Sequence, residues 1–212
     1  MGQVLLVRHG QASWGADDYD VLSPLGERQA TVTGAFLAGV RPDAVVRGLM
    51  HRQGRTAELM ADAAGWATAP SVDGRWDEMD HLAVLAAQEQ AQPRDFDGEP
   101  DAHQFQAWFE KATARWRSGA HDGEYAESWP EFRDRVLAGL DALGDGTTVV
   151  VTSGGPISVV AHLLESSAAY QRIAPVVVNA SVTKIVVGRR GHTLVSFNEH
   201  GHVESAGLLT YH

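Results

Sequence analysis

The chain has 212 residues, enough for one sizeable core, and 44% hydrophobic against 21% charged residues is ordinary for a globular protein in water. The formal net charge of −10 repels polyanions and argues against nucleic-acid or anionic-membrane partners, while leaving room for a local basic pocket that holds a small anion. No cysteine is present, which excludes disulfides, thiol catalysis and cysteine-based zinc sites and fits a cytoplasmic location.

The chain opens on "QVLLVR" (Gln3–Arg8), a short aliphatic run of the kind found in strands covered on both faces. Its four aliphatic residues are too few for a secretory leader, and Leu6 stands where a myristoylation signal after Met1-Gly2 needs Ser or Thr. No apolar run approaches the ~20 residues of a membrane span. "PLGERQATVTGAFLAGV" then reads as a helix, with Ser23 as N-cap and Pro24 at the first helical position. "DAVVRGLM" (Asp43–Met50) predicts a second strand, and "RQGRTAELMADAAG" a helix closed by Gly65. From Ala86 to Ala102 the chain is polar, with two prolines and no strong period, and reads as a surface excursion or lid.

"FQAWFEKATARW" and "WPEFRDRVLAGLDAL" predict amphipathic helices. "TTVVVTSGGPISVVAHLL" (Thr147–Leu164) predicts a buried strand, a tight glycine turn and another helix. The β-branched segments near the C-terminus, split by "GRRGH", predict an antiparallel hairpin. Strands alternating with helices indicate an α/β fold, a sandwich whose mainly parallel sheet is covered on both faces. In such sheets the loops at the carboxyl ends of strands build the ligand site. Three of those ends carry marked residues: Arg8-His9-Gly10, Gly48–Arg52 and Thr152-Ser153-Gly154-Gly155.

Ser153 is not a nucleophile elbow, because G-x-S-x-G needs a glycine where Val151 stands. A Walker loop is absent, and the ten histidines show no H-E-x-x-H or comparable metal spacing, "DEMDH" (Asp77–His81) being the one local cluster. Arg8-His9 carries more chemistry. A neutral imidazole attacks phosphorus when one ring nitrogen keeps its lone pair and the other is held by a hydrogen bond. A neighbouring guanidinium favours that neutral form and grips phosphoryl oxygens. Backbone N–H groups of Gly154 and Gly155, at a helix N-terminus, add anion-binding dipoles.

Several of these segments, in order, resemble the histidine phosphatase superfamily, the phosphoglycerate-mutase-like proteins. "LLVRHGQASW" (Leu5–Trp14) is similar to the family's opening arginine-histidine-glycine signature, and "LSPLGERQA" (Leu22–Ala30) to its next helix. "GLMHRQGRTAEL" (Gly48–Leu59) resembles the second arginine segment, whose arginine falls four residues before Thr56, at Arg52. "RWDEMDH" (Arg75–His81) resembles the proton-donor segment and places Glu78 in that role; "ESWPEFRDRV" and "NASVTKI" are similar too. The resemblance implies a phosphoglycerate-mutase-like three-layer α/β/α sandwich, formed by one domain over residues 1–212 with a lid or insert around 86–128.

It also implies that His9 is the nucleophile, that Arg8 and Arg52 clamp the phosphoryl group, and that Gly10, Gln11, Ser153, Gly154 and Gly155 line the pocket, Gln11 being equally readable as a loop residue. No metal or other cofactor is required. Two departures stand out: Ser153 occupies the place of the family's second pocket histidine, and Gly48 that of a customary serine. His51, His81 or a water could fill the vacated volume. The expected function is a phosphatase for a small phosphomonoester or a phosphohistidine. The alternatives are a low-activity phosphate-binding pseudophosphatase with a regulatory role or, less favoured, a phosphoglycerate mutase.

Overall fold

The computed structural model describes residues 2–13, 20–94, 96, 98, 100–165 and 170–211. Trp14, the last residue of the quoted signature, and Asp95, Asp97 and Glu99 of the polar stretch lie outside them. The chain separates into two compact units, one of residues 1–78 with 136–212, the other Met79–Arg135.

In the first unit, β1 (Gly2–Arg8) is followed by α1 (Pro24–Phe36), β2 (Ala44–Arg47), α2 (His51–Ala64) and the two-residue β3 (Ser71–Val72). Local signals set these boundaries. The Ser23 side chain accepts from the Gly26 N–H, and Pro24 gives up no hydrogen bond at the first helical position. Gly65 ends α2 in the left-handed region, at φ 68°, where the lack of a Cβ removes the steric penalty. β2 stops at Arg47, short of the expected Met50, because Gly48 to Met50 turn into α2.

The second unit holds α3 (His81–Ala91) and α4 (Ala102–Arg117) and the start of α5 (Trp129–Asp141). Residues 86–91, expected as part of an irregular excursion, continue α3. Its Ala and Gln residues are strong helix formers even without an amphipathic period, and Asp80 caps the first turn through the Ala83 N–H. Asp101 and Gln104 close a reciprocal capping box on α4. Trp116, Trp129 and Phe132 form this unit's aromatic cluster, the two indoles edge to face at 5.3 Å. The stretch 86–128 falls within this unit.

The first unit is completed by β4 (Thr147–Thr152), α6 (Gly154–Leu164), the short α7 (Tyr170–Ile173), β5 (Val182–Gly188), β6 (Gly191–Glu199) and α8 (Gly201–Ser205). The six strands form one mixed sheet in the order β3-β2-β4-β1-β5-β6. β1 through β4 pair in parallel, while β5 runs antiparallel to both β1 and β6, as the terminal hairpin signal predicts. One face carries Leu5, Val7, Val149 and Val151, buried against Ala30, Leu37, Ala57 and Met60 of the α1–α2 side. The alternate residues Val4, Leu6 and Val150 are equally buried, so both faces of the central strands are covered. At ~1.5–3 kcal/mol per fully buried aliphatic side chain, these strands anchor the fold. Among the described residues no helix is long and apolar enough to cross a membrane.

β1 and β4 are in register from Gln3 opposite Thr147 to Arg8 opposite Thr152, and β2 ends with Arg47 opposite Val151. The three marked segments therefore leave the sheet side by side at one edge.

Candidate active site

His9 follows the last residue of β1, and its backbone N–H donates to the Thr152 carbonyl at 2.8 Å, which fixes it beside Ser153. Its ring is buried. Nδ1 lies 2.7 Å from the Gly10 carbonyl, which can only accept, so Nδ1 carries the proton and Nε2 keeps its lone pair. The Arg52 Nε–H donates to that Nε2 at 3.1 Å. Burial, then the charges of Arg52 and Arg8, hold the imidazole well below its usual pKa of 6.5, so the ring is neutral at physiological pH.

The turn that presents His9 is locked by close backbone contact. A Cβ on Gly10 would collide with the Gly26 carbonyl, and one on Gly26 with that of Gln11. Gly10 N–H donates to Thr56 Oγ1 at 3.1 Å, and Thr56 returns its hydroxyl to the Arg52 carbonyl at 2.7 Å. Gln11 turns toward α1: its N–H donates to Gln29 Oε1 and its Oε1 accepts from the Ser23 hydroxyl. From the other side Ala180, held at φ 60°, donates its N–H to the Arg8 and His9 carbonyls, and the Asn179 amide reaches the His9 carbonyl at 3.3 Å. A non-glycine residue in that region costs ~1–2 kcal/mol, offset by these bonds to the site.

Arg52 stands in the first turn of α2 and also pairs through Nη1 with Asp20 Oδ1 at 2.8 Å. The second Asp20 oxygen accepts from the His51 N–H, so one carboxylate spans the guanidinium and the helix start. Arg8 Nη1 donates to the carbonyls of Val177 and, at 2.8 Å, Tyr211. A Cβ on Gly154 would come within 3.7 Å of Arg8 Nε, so this guanidinium borders the α6 turn.

At the β4 edge the geometry differs from expectation in two ways. The Gly155 N–H, expected to face a phosphate, donates instead to Glu78 Oε2 at 2.9 Å, and a Cβ on Gly155 would collide with the same carboxylate. Glu78 thus sits on the N-terminus of α6 and accepts an N–H that has no partner within the helix. Ser153 is the N-cap residue of α6 yet makes no capping bond through its side chain. Its buried Oγ accepts from Gln53 Nε2 at 3.0 Å, so the group against Ser153 is neither His51 nor His81 but Gln53.

The second Gln53 amide proton goes to the Trp76 carbonyl at 3.1 Å. Its Oε1 is buried with no donor among the described residues. That oxygen and Asp77 Oδ1 lie so close over Gly48 that any Cβ there would collide with both. With these two side chains in place, no residue larger than glycine fits at 48. Among the described residues no group of three or more His, Asp or Glu side chains could hold a metal ion.

The structure thus brings His9 and Arg52 into direct contact, sets Arg8 against Gly154, and joins Glu78 to Gly155. Sequence reasoning missed Asp20, Thr56, Gln29, Gln53 and Asn179. Gln53 left a trace: it falls on the buried α2 stripe with Ala57, Met60 and Ala64, where an apolar residue is the rule.

The pattern of the whole chain agrees with this geometry. Residues 4–200 match the model of the histidine phosphatase superfamily, branch 1. The chain belongs to that superfamily. Among relatives of this histidine phosphatase superfamily member, a 2,3-bisphosphoglycerate-dependent phosphoglycerate mutase of Corynebacterium efficiens is 34% identical over 136 residues, 60% of this chain and 53% of the mutase. The chain spans about half the length of the curated mutases it matches. In fold it is similar to the phosphoglycerate mutase of Bacillus anthracis, with a TM-score of 0.71 and 21% identity over 97% of this chain and 96% of that one. It is also similar to a mycobacterial glucosyl-3-phosphoglycerate phosphatase, with a TM-score of 0.63 and 22% identity over 94% and 100%. The superfamily neighbours thus include both phosphatases and mutases.

Proposed function

We propose that the protein is a metal-independent phosphatase that hydrolyses a small phosphomonoester, or a phosphohistidine, through a phosphohistidine on His9. The observation that carries this reading is the buried, neutral His9, its Nδ1 proton tied to the Gly10 carbonyl and its Nε2 lone pair facing a guanidinium.

Nε2 attacks phosphorus in line. The N–P bond forms as the ester P–O bond breaks, and the departing oxygen takes a proton from Glu78 in its protonated form. Arg52 turns its Nε–H from the ring to the phosphoryl oxygens as the lone pair is spent, and Arg8 supports the same charge from the α6 side. Water then attacks the phosphohistidine, Glu78 takes back the proton, and inorganic phosphate leaves with His9 neutral again. In place of a second cationic histidine, Ser153 offers a neutral hydroxyl. A charged hydrogen bond is worth ~1.5–3 kcal/mol against ~1 for a neutral one, so the exchange costs roughly two- to thirty-fold in rate. Small phosphorylated metabolites suit a chain of this negative charge better than nucleic acid or membranes, and the lack of cysteine suits the cytoplasm.

A second reading, a phosphate-binding protein with little turnover, is favoured by two contacts: Asp20 already pairs with Arg52, and Glu78 already occupies the Gly155 N–H. A panel of phosphomonoesters assayed without added metal separates the two. The enzyme reading expects turnover that His9→Ala removes; phosphate binding without turnover in the wild type favours the second.

A further inference from the structure

Three features of the β4 edge are unexplained by a simple loss of histidine. Ser153 is an N-cap residue that does not cap. Gln53 spends both amide protons, on Ser153 Oγ and the Trp76 carbonyl, yet leaves its oxygen buried with no donor among the described residues. A Cβ on Gly48 would collide with that same oxygen and with Asp77 Oδ1.

We propose that Gln53 is a positioning residue that holds the Ser153 hydroxyl as a hydrogen-bond donor to the phosphoryl group, so that Gly48, Gln53 and Ser153 together replace the second pocket histidine. The proposal rests on the reading of this pocket as a phosphate site. A hydroxyl has one proton to give and two lone pairs. Gln53 Nε2 takes one lone pair at 3.0 Å, and the proton reaches no acceptor among the described residues. The His9 N–H bonds the carbonyl of Thr152, the residue before Ser153, so the buried serine follows on the strand directly beside the nucleophile. Gln53 follows Arg52 directly, and the Trp76 carbonyl pins its amide from behind. Trp76 in turn is buried and its carbonyl also accepts from the Thr152 hydroxyl at 2.6 Å, which ties the anchor to the end of β4.

The three positions are sterically interlocked. Gln53 in this rotamer admits only glycine at 48. In the rotamer of Ser153, whose Oγ lies 3.0 Å from the Gln53 amide, an imidazole would meet that amide, so restoring the histidine alone should not restore the family's arrangement. Making room at 53 should.

The test measures kcat and KM for p-nitrophenyl phosphate, and the affinity for inorganic phosphate, in wild type, Gln53→Ala, Ser153→His and the double variant. Gln53→Ala and Ser153→His are each expected to lower kcat about tenfold, with KM changing less, and the double variant to recover most of that loss. A merely structural Gln53 would shift the melting temperature and leave kcat untouched. An increase in kcat for Ser153→His with Gln53 present, or independent, multiplying effects of the two substitutions, overturns the proposal. If Ser153→His does not fold, the cycle of Ser153→Ala with Gln53→Ala decides: a double variant no worse than the poorer single variant supports the pair, and a product of the two losses overturns it. Phosphate affinity keeps the two readings apart. Where the wild type binds phosphate but turns nothing over, the phosphatase reading fails while coupling between 53 and 153 in affinity still supports the pair. A wild type that neither binds nor hydrolyses overturns both.

Discussion

The two sides of the pocket edge are built from different chemistry. On the β1–α2 side a neutral imidazole touches one guanidinium and feels a second, and every polar contact of the ring is assigned: Nδ1 to Gly10, Nε2 to Arg52. On the β4–α6 side a serine hydroxyl, a glutamine amide and a glutamate on a helix N-terminus do the work. The first side carries the positive charge; the second carries a neutral amide and hydroxyl and a carboxyl group. In the proposed reaction covalent attack depends on the first side, while the second tunes the rate.

Substitutions that strip charge from the first side should cost most. Arg52→Ala is expected to lower kcat/KM about 10²–10³-fold, as removal of a positioned transition-state donor does. Arg52→Lys should recover only part of this, because a point charge cannot reproduce the guanidinium fork. Equal losses for Arg52→Ala and Ser153→Ala in steady-state assays would erase the contrast between the sides.

Next comes Glu78. If it is the proposed proton donor, it should matter more for poor leaving groups. Glu78→Gln should lower kcat about 10²-fold or more for an alkyl phosphate and far less for p-nitrophenyl phosphate. A loss independent of the leaving group would assign Glu78 only to holding the Gly155 N–H.

The backbone beneath His9 gives a smaller, structural effect. Gly10→Ala forces a Cβ into the Gly26 carbonyl and should destabilise the fold by ~1–3 kcal/mol, read from chemical denaturation. Unchanged stability would mean that the β1–α1 turn is looser than these contacts require.

The pH dependence is the mildest and most specific effect. The folded His9 pKa lies below 6.5, chiefly through burial, so below pH 6.5 the unfolded chain takes up a proton that the native site refuses. The His9 contribution to stability should accordingly decline as pH falls from 6.5 toward the folded pKa, and level off beneath it. For the same reason the acid limb of kcat/KM due to His9 should lie below pH 6.5. A limb at or above 6.5 would place the ring in water or beside a carboxylate rather than between two guanidinia.

What the sequence made legible was local. The aliphatic run of β1, the Ser23-Pro24 cap, Gly65 and the strand-turn-helix at 147–164 each carry their signal within a few residues. His9, Arg52 and Glu78 were legible because recognisable segments deliver them to one sheet edge. The partners across the chain were not. Gln53 and Ser153 are a hundred positions apart, and Gln29 reaches Leu208 and Thr210 at the C-terminal end. Such polar pairs leave no period, and only the folded sheet brings them together. The two-residue β3 is set by pairing with β2 rather than by its own composition, and it was equally invisible.

In the proposed reaction His9 Nε2 becomes phosphorylated. Rapid quenching at alkaline pH of the protein mixed with a labelled phosphomonoester tests it directly. Acid-labile, base-stable label is expected on a peptide containing His9, absent in His9→Ala together with turnover. Hydrolysis that persists in His9→Ala, or turnover in the wild type with no label trapped even when the dephosphorylation step is slowed, would contradict it.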